Sequence, residues 1–220
     1  MTLLETLEPY FQENAPWKKG VWGALSALGL PTKGWDSFRY ISLKQLNTGS
    51  FILKDSKEIH ISSAVGIIAL PLNSAMRSYG ALLQKGFQKS LKEEINPYAL
   101  LNSAFANEGL FLYIPPGKTI EMEWTFPAPE EDALFSPKVE VFVGKGASLS
   151  ISYRFQGKKK YFHNSYFQFT LDEGATVSLD EHLEHSSEAF AMHTIRVHLK
   201  KKAFFKAFTF TKGALVERHD

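Results

Sequence analysis

Phe167-Gln-Phe-Thr-Leu171, Asp172-Glu-Gly174 and Ala175-Thr-Val-Ser-Leu179 read as a strand, a tight polar turn and a second strand. The pattern recurs around Gly117, Gly146 and Lys202, so four copies stand 29, 28 and 28 residues apart. Before the other turns run Leu110-Phe-Leu-Tyr-Ile114, Val139-Glu-Val-Phe-Val143 and Ile195-Arg-Val-His-Leu199. After them run Lys118-Thr-Ile-Glu-Met122, Ala147-Ser-Leu-Ser-Ile151 and Ala203-Phe-Phe-Lys-Ala207. A fixed period of this size marks a stacked repeat.

Alternation in a strand places every second side chain on one face. Aligned on their turns, the copies give Leu110, Val139, Phe167, Ile195; then Leu112, Val141, Phe169, Val197; then Ile114, Val143, Leu171, Leu199. All are apolar. Beyond the turn the columns are Ala147, Ala175, Ala203; Ile120, Leu149, Val177, Phe205; and Met122, Ile151, Leu179, Ala207. Small residues suit a cramped corner, with Lys118 as the exception. The columns predict a mainly β fold, a parallel β-helix that buries one continuous apolar column. An antiparallel sandwich or cupin-like barrel explains each strand–turn–strand unit but does not require matched columns. The intervening positions, among them Glu140, Gln168, Thr170, Asp172, Arg196, His198 and Lys200, predict a solvated face or one meeting another protein.

Upstream, Thr2 and Glu5 have capping-box spacing ahead of Leu3, Leu4 and Leu7. Val21 to Leu28 predicts a short helix stopped by Gly29. Segments 51–54 and 59–70 read as strands, and the stripe Met76, Tyr79, Leu83, Phe87, Leu91 predicts a helix from about Ala75 to Glu94. Asn96 as N-cap and Pro97 as first residue open a further helix that ends before Gly109. The expected organisation is therefore an N-terminal helical region with a few strands, residues 1–108, capping a β-helix core at 109–220. Spacing puts the next corner near residue 230, so the chain is expected to stop inside a coil, with self-association through that open end.

No apolar run approaches the ~20 residues of a membrane-spanning helix, and the N-terminus lacks a basic region followed by an apolar one. A net charge of +2 gives no argument for nucleic acid, and cysteine is absent. The expectation is a cytoplasmic protein without disulfides or thiolate ligands.

Seven histidines raise the question of a metal. His182-Leu-Glu-His185, flanked by Asp180, Glu181 and Glu184, is the tightest group, but the zincin and cupin spacings are missing. A polar loop between coils is the plainer account. His193 and His198 fall on opposite faces of one strand. Gly117-Lys118-Thr119 lacks the upstream glycine of a phosphate loop and reads as a turn. Lys158 to Lys160 and Lys200 to Lys202 read as solvated turns. Glu140, Gln168 and Arg196 form a column of the kind that carries acids and bases in β-helix carbohydrate enzymes, yet such a mixture is ordinary on a solvated sheet. The expectation is no catalytic residue, no resident cofactor and no metal ligand. A carbohydrate-active β-helix and a metal-binding barrel stand as the alternatives.

Two stretches carry a resemblance. Gly29-Leu-Pro-Thr32 with Phe38-Arg-Tyr40 is one, though Trp is usual where Phe38 stands. Asn96-Pro-Tyr-Ala-Leu-Leu-Asn-Ser-Ala-Phe105 running through Asn107-Glu-Gly-Leu-Phe-Leu-Tyr-Ile-Pro-Pro-Gly117 is the other. Together with the repeat they resemble the SufB/SufD family of iron–sulfur cluster assembly proteins. The resemblance implies a helical region before a right-handed parallel β-helix, and a non-enzymatic role. In that role a SufD-like subunit pairs with a SufB-like paralogue, and both dock on a SufC-like ATPase. Because that ATPase resembles transporter subunits, family members have been labelled transporter components; no span here supports that label. The lack of cysteine favours the SufD branch, since cluster assembly on SufB is associated with cysteine. The family's partner-facing residues are expected beyond Asp220, so both partners are expected of the full-length protein, and residues 1–220 are expected not to bind the ATPase.

Overall fold

The computed structural model describes residues 1–13, 18–53, 59–62, 65–84, 94–106 and 109–220. Helix α1 (Leu3–Leu7) starts at the Thr2–Glu5 capping box. Helix α2 (Lys18–Leu28) is longer at its start than the sequence indicated and ends at Gly29, whose φ of +72° closes the last turn. Helix α3 (Lys44–Asn47) precedes strand β1 (Ile52–Leu53); residues 54–58 of the expected strand region lie outside the described residues.

The run 59–70 is not one strand. It gives β2 (His60–Ile61) and β3 (Ile68–Pro71), with Gly66 between them at φ +86°; residues 63–64 lie outside the described residues. Helix α4 (Leu72–Ser78) begins earlier than the stripe suggested and breaks at Tyr79, and residues 85–93 of that expected helix lie outside the described residues. Helix α5 (Pro97–Phe105) is capped by Asn96, whose side chain accepts from the Tyr98 amide at 2.9 Å.

The repeat winds into four coils. The first is β4 (Gly109–Ile114) and β5 (Thr119–Thr125). The second is β6 (Ala133–Phe135), β7 (Lys138–Val143) and β8 (Ser148–Gln156). The third is β9 (Tyr161–Leu171) and β10 (Thr176–Glu184), and the fourth β11 (Phe190–Leu199) and β12 (Phe204–Lys212). Strand β13 (Val216–His219) lies beyond, beside β11. Every coil-to-coil pairing is parallel.

Register decides between solenoid and barrel. Leu112 pairs with Val141, Val141 with Phe169 and Phe169 with Val197; Met122, Ile151, Leu179 and Ala207 stack likewise. Val139, Val141, Phe167, Phe169 and Leu171 are wholly buried, each contributing roughly 1.5–3 kcal/mol. The corners stack too. Gly117, Gly146, Gly174 and Lys202 have φ of +69°, +64°, +67° and +60°, a left-handed conformation that glycine takes at least cost. The amides of the three glycines donate to the carbonyls of Lys145, Glu173 and Lys201 in the next coil.

Strands β3 and β2 pair antiparallel with β4 and β5, and Ile59, Ile61, Ile67 and Ala69 pack against the apolar interior there. Helix α5, buried along its whole length, lies along the flank instead. It packs on β9, Tyr98 against Phe162, in one apolar layer with the outward side chains Leu134, Phe190 and Met192 of the neighbouring coils. Phe38 and Tyr98, both from segments singled out in the sequence, stand ring edge to ring face in this layer, with centroids 5.9 Å apart.

Candidate functional site

The strands run well past the five residues read from each copy: β9 has eleven and β10 nine. In that extension the interior changes character. The column that starts as Trp124 and Tyr153 continues as Glu181 and Thr209. On the opposite wall Ser165, His193 and His219 stack, as do Phe135, His163, Ala191 and Glu217. The predicted continuous apolar column therefore holds beside the glycine corners and gives way to a partly polar interior towards the far ends of the same strands.

Inside it, His193 donates from Nε2 to Glu181 Oε1 at 2.8 Å, and its Nδ1 bonds Ser165 Oγ at 2.5 Å. Thr209 donates to Glu181 Oε2 at 2.7 Å, and His219 donates from Nε2 to Glu217 Oε1 at 2.8 Å. Glu181 is fully buried and His193 nearly so. Burial alone would raise the Glu181 carboxyl, but the charge of His193 and the hydrogen bonds from His193 and Thr209 outweigh it and leave it below its usual value. Farther along, His185 Nδ1 bonds Tyr161 Oη at 2.9 Å. Burial pulls His185 down to about 4, against the pull of Glu217, and takes His163 well below the usual histidine range. Both rings therefore stay neutral near pH 7.

The sequence group at 180–185 is not a loop. His182 and Glu184 lie within β10 and point outward with Asp180, whereas Glu181 points inward and His185 closes the corner beneath Tyr161. Alternation splits the group between two faces, so His182 and His185 do not come together. His193 and His198 lie on opposite faces of β11, as expected. The signal for Glu181 was present: carrying the repeat four residues past Val177 puts it in the inward row.

The column Glu140, Gln168, Arg196 is in register, but it is not the solvated face expected of it. Glu140 and Gln168 are about 1% exposed, covered by the chain itself. Lys138 Nζ stands 3.8 Å from Glu140, 3.2 Å from Ser103 Oγ on α5, and 3.5 Å over the Tyr166 ring. Burial pushes Glu140 up to about 7 against the pull of Lys138, and takes Lys138 down to about 8 against Glu140 and Glu94. Arg196 grips Glu94 through two hydrogen bonds of 3.0 and 2.9 Å. A catalytic pair open to a polysaccharide is not what this row presents.

The lysine clusters sit at corners: Lys158 and Lys159 are exposed, Lys160 pairs with Asp132 at 2.8 Å, and Lys200 pairs with Asp172 at 3.1 Å. Gly117-Lys118-Thr119 is a turn leading into β5, with no helix after it. No helix among the described residues is long and apolar enough to cross a membrane.

Comparison with known proteins agrees with this architecture. The pattern for the SufBD protein N-terminal region matches residues 41–124, and that for the SufBD core domain of SUF-system FeS cluster assembly matches 126–220. No curated protein matches the chain. The core match begins at Phe126 and takes in the last three of the four coils, and the two halves follow one another in family order. The chain thus belongs to the SufB/SufD family, whose place is iron–sulfur cluster assembly in the SUF system.

Proposed function

We propose that the protein is a SufD-type scaffold, a structural subunit with no catalytic step of its own. It pairs with a cysteine-bearing, SufB-like paralogue and with it docks on a SufC-like ATPase. The cluster under assembly is cargo. The observation carrying this reading is a family member with no cysteine in its 220 residues. Sulfane sulfur and nascent clusters are held by thiolates, so in this assembly the thiols come from the partner. The stacked coils offer a rigid, elongated framework for it. In isolation we expect self-association at the fourth coil, where the outward positions of β12 include exposed Phe204, Phe208 and Phe210.

Co-expression with a cysteine-bearing paralogue and the SUF ATPase tests the reading. With the full-length protein the expected result is a stable complex of the three that assembles clusters, whereas residues 1–220 alone give neither cluster absorbance nor ATP turnover and do not hold the ATPase. Cluster assembly on the isolated chain, or failure of the full-length protein to join the other two, contradicts it.

A further inference from the structure

We propose that Glu181, His193 and His219 form a binding site for a divalent first-row transition-metal ion inside the solenoid. One donor atom from each of the three lies within 4.8 Å of those of the other two. They come from three strands, β10, β11 and β13, and the parallel winding brings them together. Two imidazoles and one carboxylate are the donor set that suits ions such as ferrous iron, leaving further positions open to water or a second ligand.

The surroundings resemble those of a metal site more than a plain buried polar network. In metal sites the remaining atoms of each ligand are held by neighbours that fix its orientation. Here Ser165 holds the Nδ1 side of His193 and Thr209 holds the second oxygen of Glu181. Glu217 holds His219 through Nε2, a carboxylate–histidine contact. Tyr153, stacked beside Glu181, contributes a buried hydroxyl with no hydrogen-bond partner among the described residues. The direct bond from His193 Nε2 to Glu181 is the interaction an ion would replace: Nε2 and the carboxylate oxygen turn to the metal, and the ring keeps its proton on Nδ1, donated to Ser165 Oγ. His219, the exposed member, gives the ion its way in.

The sequence did not show this group, because its members are 12 and 26 residues apart and fit no metal-ligand spacing. The inference is independent of which SUF subunit the chain represents.

The test is equilibrium dialysis of the chelator-stripped chain against Co2+, with metal analysis and thermal unfolding. The expected result is one Co2+ per chain and a raised unfolding temperature. Glu181→Gln and His219→Ala should each weaken binding at least ~10-fold, while His182→Ala on the outer face binds as the parent does. His219 is exposed, so its variant folds and decides the matter even if Glu181→Gln does not. Absence of stoichiometric Co2+ on the parent chain, or binding by His219→Ala equal to it, overturns the proposal.

Discussion

Replacing Lys138 by methionine is expected to destabilise the protein by ~3–5 kcal/mol at neutral pH, the cost of leaving a buried carboxylate without its cation. Lys138 and Glu140 are 2% and 1% exposed, so water cannot take over from the lost partner. Glu140→Leu alone should cost a similar amount. The double variant should recover most of the loss or exceed the parent, because two apolar side chains escape the desolvation that the pair bears.

The pH dependence follows from the direction of each shift. Glu140 is raised from 4.5 to about 7, so the folded state keeps a proton the unfolded chain gives up, and this pair's contribution falls as pH climbs through that window. Lys138 is lowered from 10.5 to about 8, so its contribution recovers as pH climbs from about 8 to 10.5. The pair therefore costs most between about 7 and 8. The defect of Lys138→Met should shrink at pH 5, where Glu140 is neutral in the folded state. Urea unfolding of the three variants at pH 5 and 7.5 measures this. Equal losses at both pH values, or a double variant as unstable as the singles, contradict it.

Asn102→Ala is expected to cost about 3 kcal/mol, through two buried hydrogen bonds and the packing lost with them. The Asn102 amide donates to the carbonyls of Pro137 and Asn164 at 2.9 and 2.7 Å. Asn164 in turn donates to the Tyr98 carbonyl at 2.9 Å. Helix α5 is thus clamped by side-chain amides onto β9 and the break between β6 and β7, in a layer that is mostly apolar. Asn102 belongs to the Leu-Asn-x-Ala-Phe run that carried the family resemblance, and this contact gives the run a physical meaning. Denaturant midpoints of Asn102→Ala and Asn164→Ala are the check; a shift equivalent to less than 1 kcal/mol in both would show that the clamp is dispensable.

The apolar columns were legible because each copy carries its own anchor, a residue with positive φ at the corner. From there, alternation assigns Val141, Phe169 and Leu179 to the inside without knowledge of the fold. The same alternation, continued along β9 and β10, leads to His163 and Glu181, where the row turns polar. Alternation also says which way a side chain points, but not what covers it. Glu140 and Gln168 point away from the solenoid axis as read, and only tertiary packing makes that side an interior. His193 and His219 could not be joined from spacing, since their meeting depends on how far each coil climbs. The capping box at Thr2, the Asn96 cap and the Gly29 stop were readable because they depend on neighbours within four residues.

The absence of cysteine also opens the most direct test of the winding. Ser150 and Ser178 are adjacent partners on the outer face of β8 and β10. Neighbouring parallel strands lie ~4.8 Å apart, within reach of a disulfide, whereas a shift of one row along the face exceeds it. Mild oxidation of the Ser150→Cys, Ser178→Cys double variant should close an intramolecular disulfide, and the Ser150→Cys, Asp180→Cys pair should stay reduced. Closure of the offset pair in preference to the aligned one would contradict the stacked coils and everything built on them.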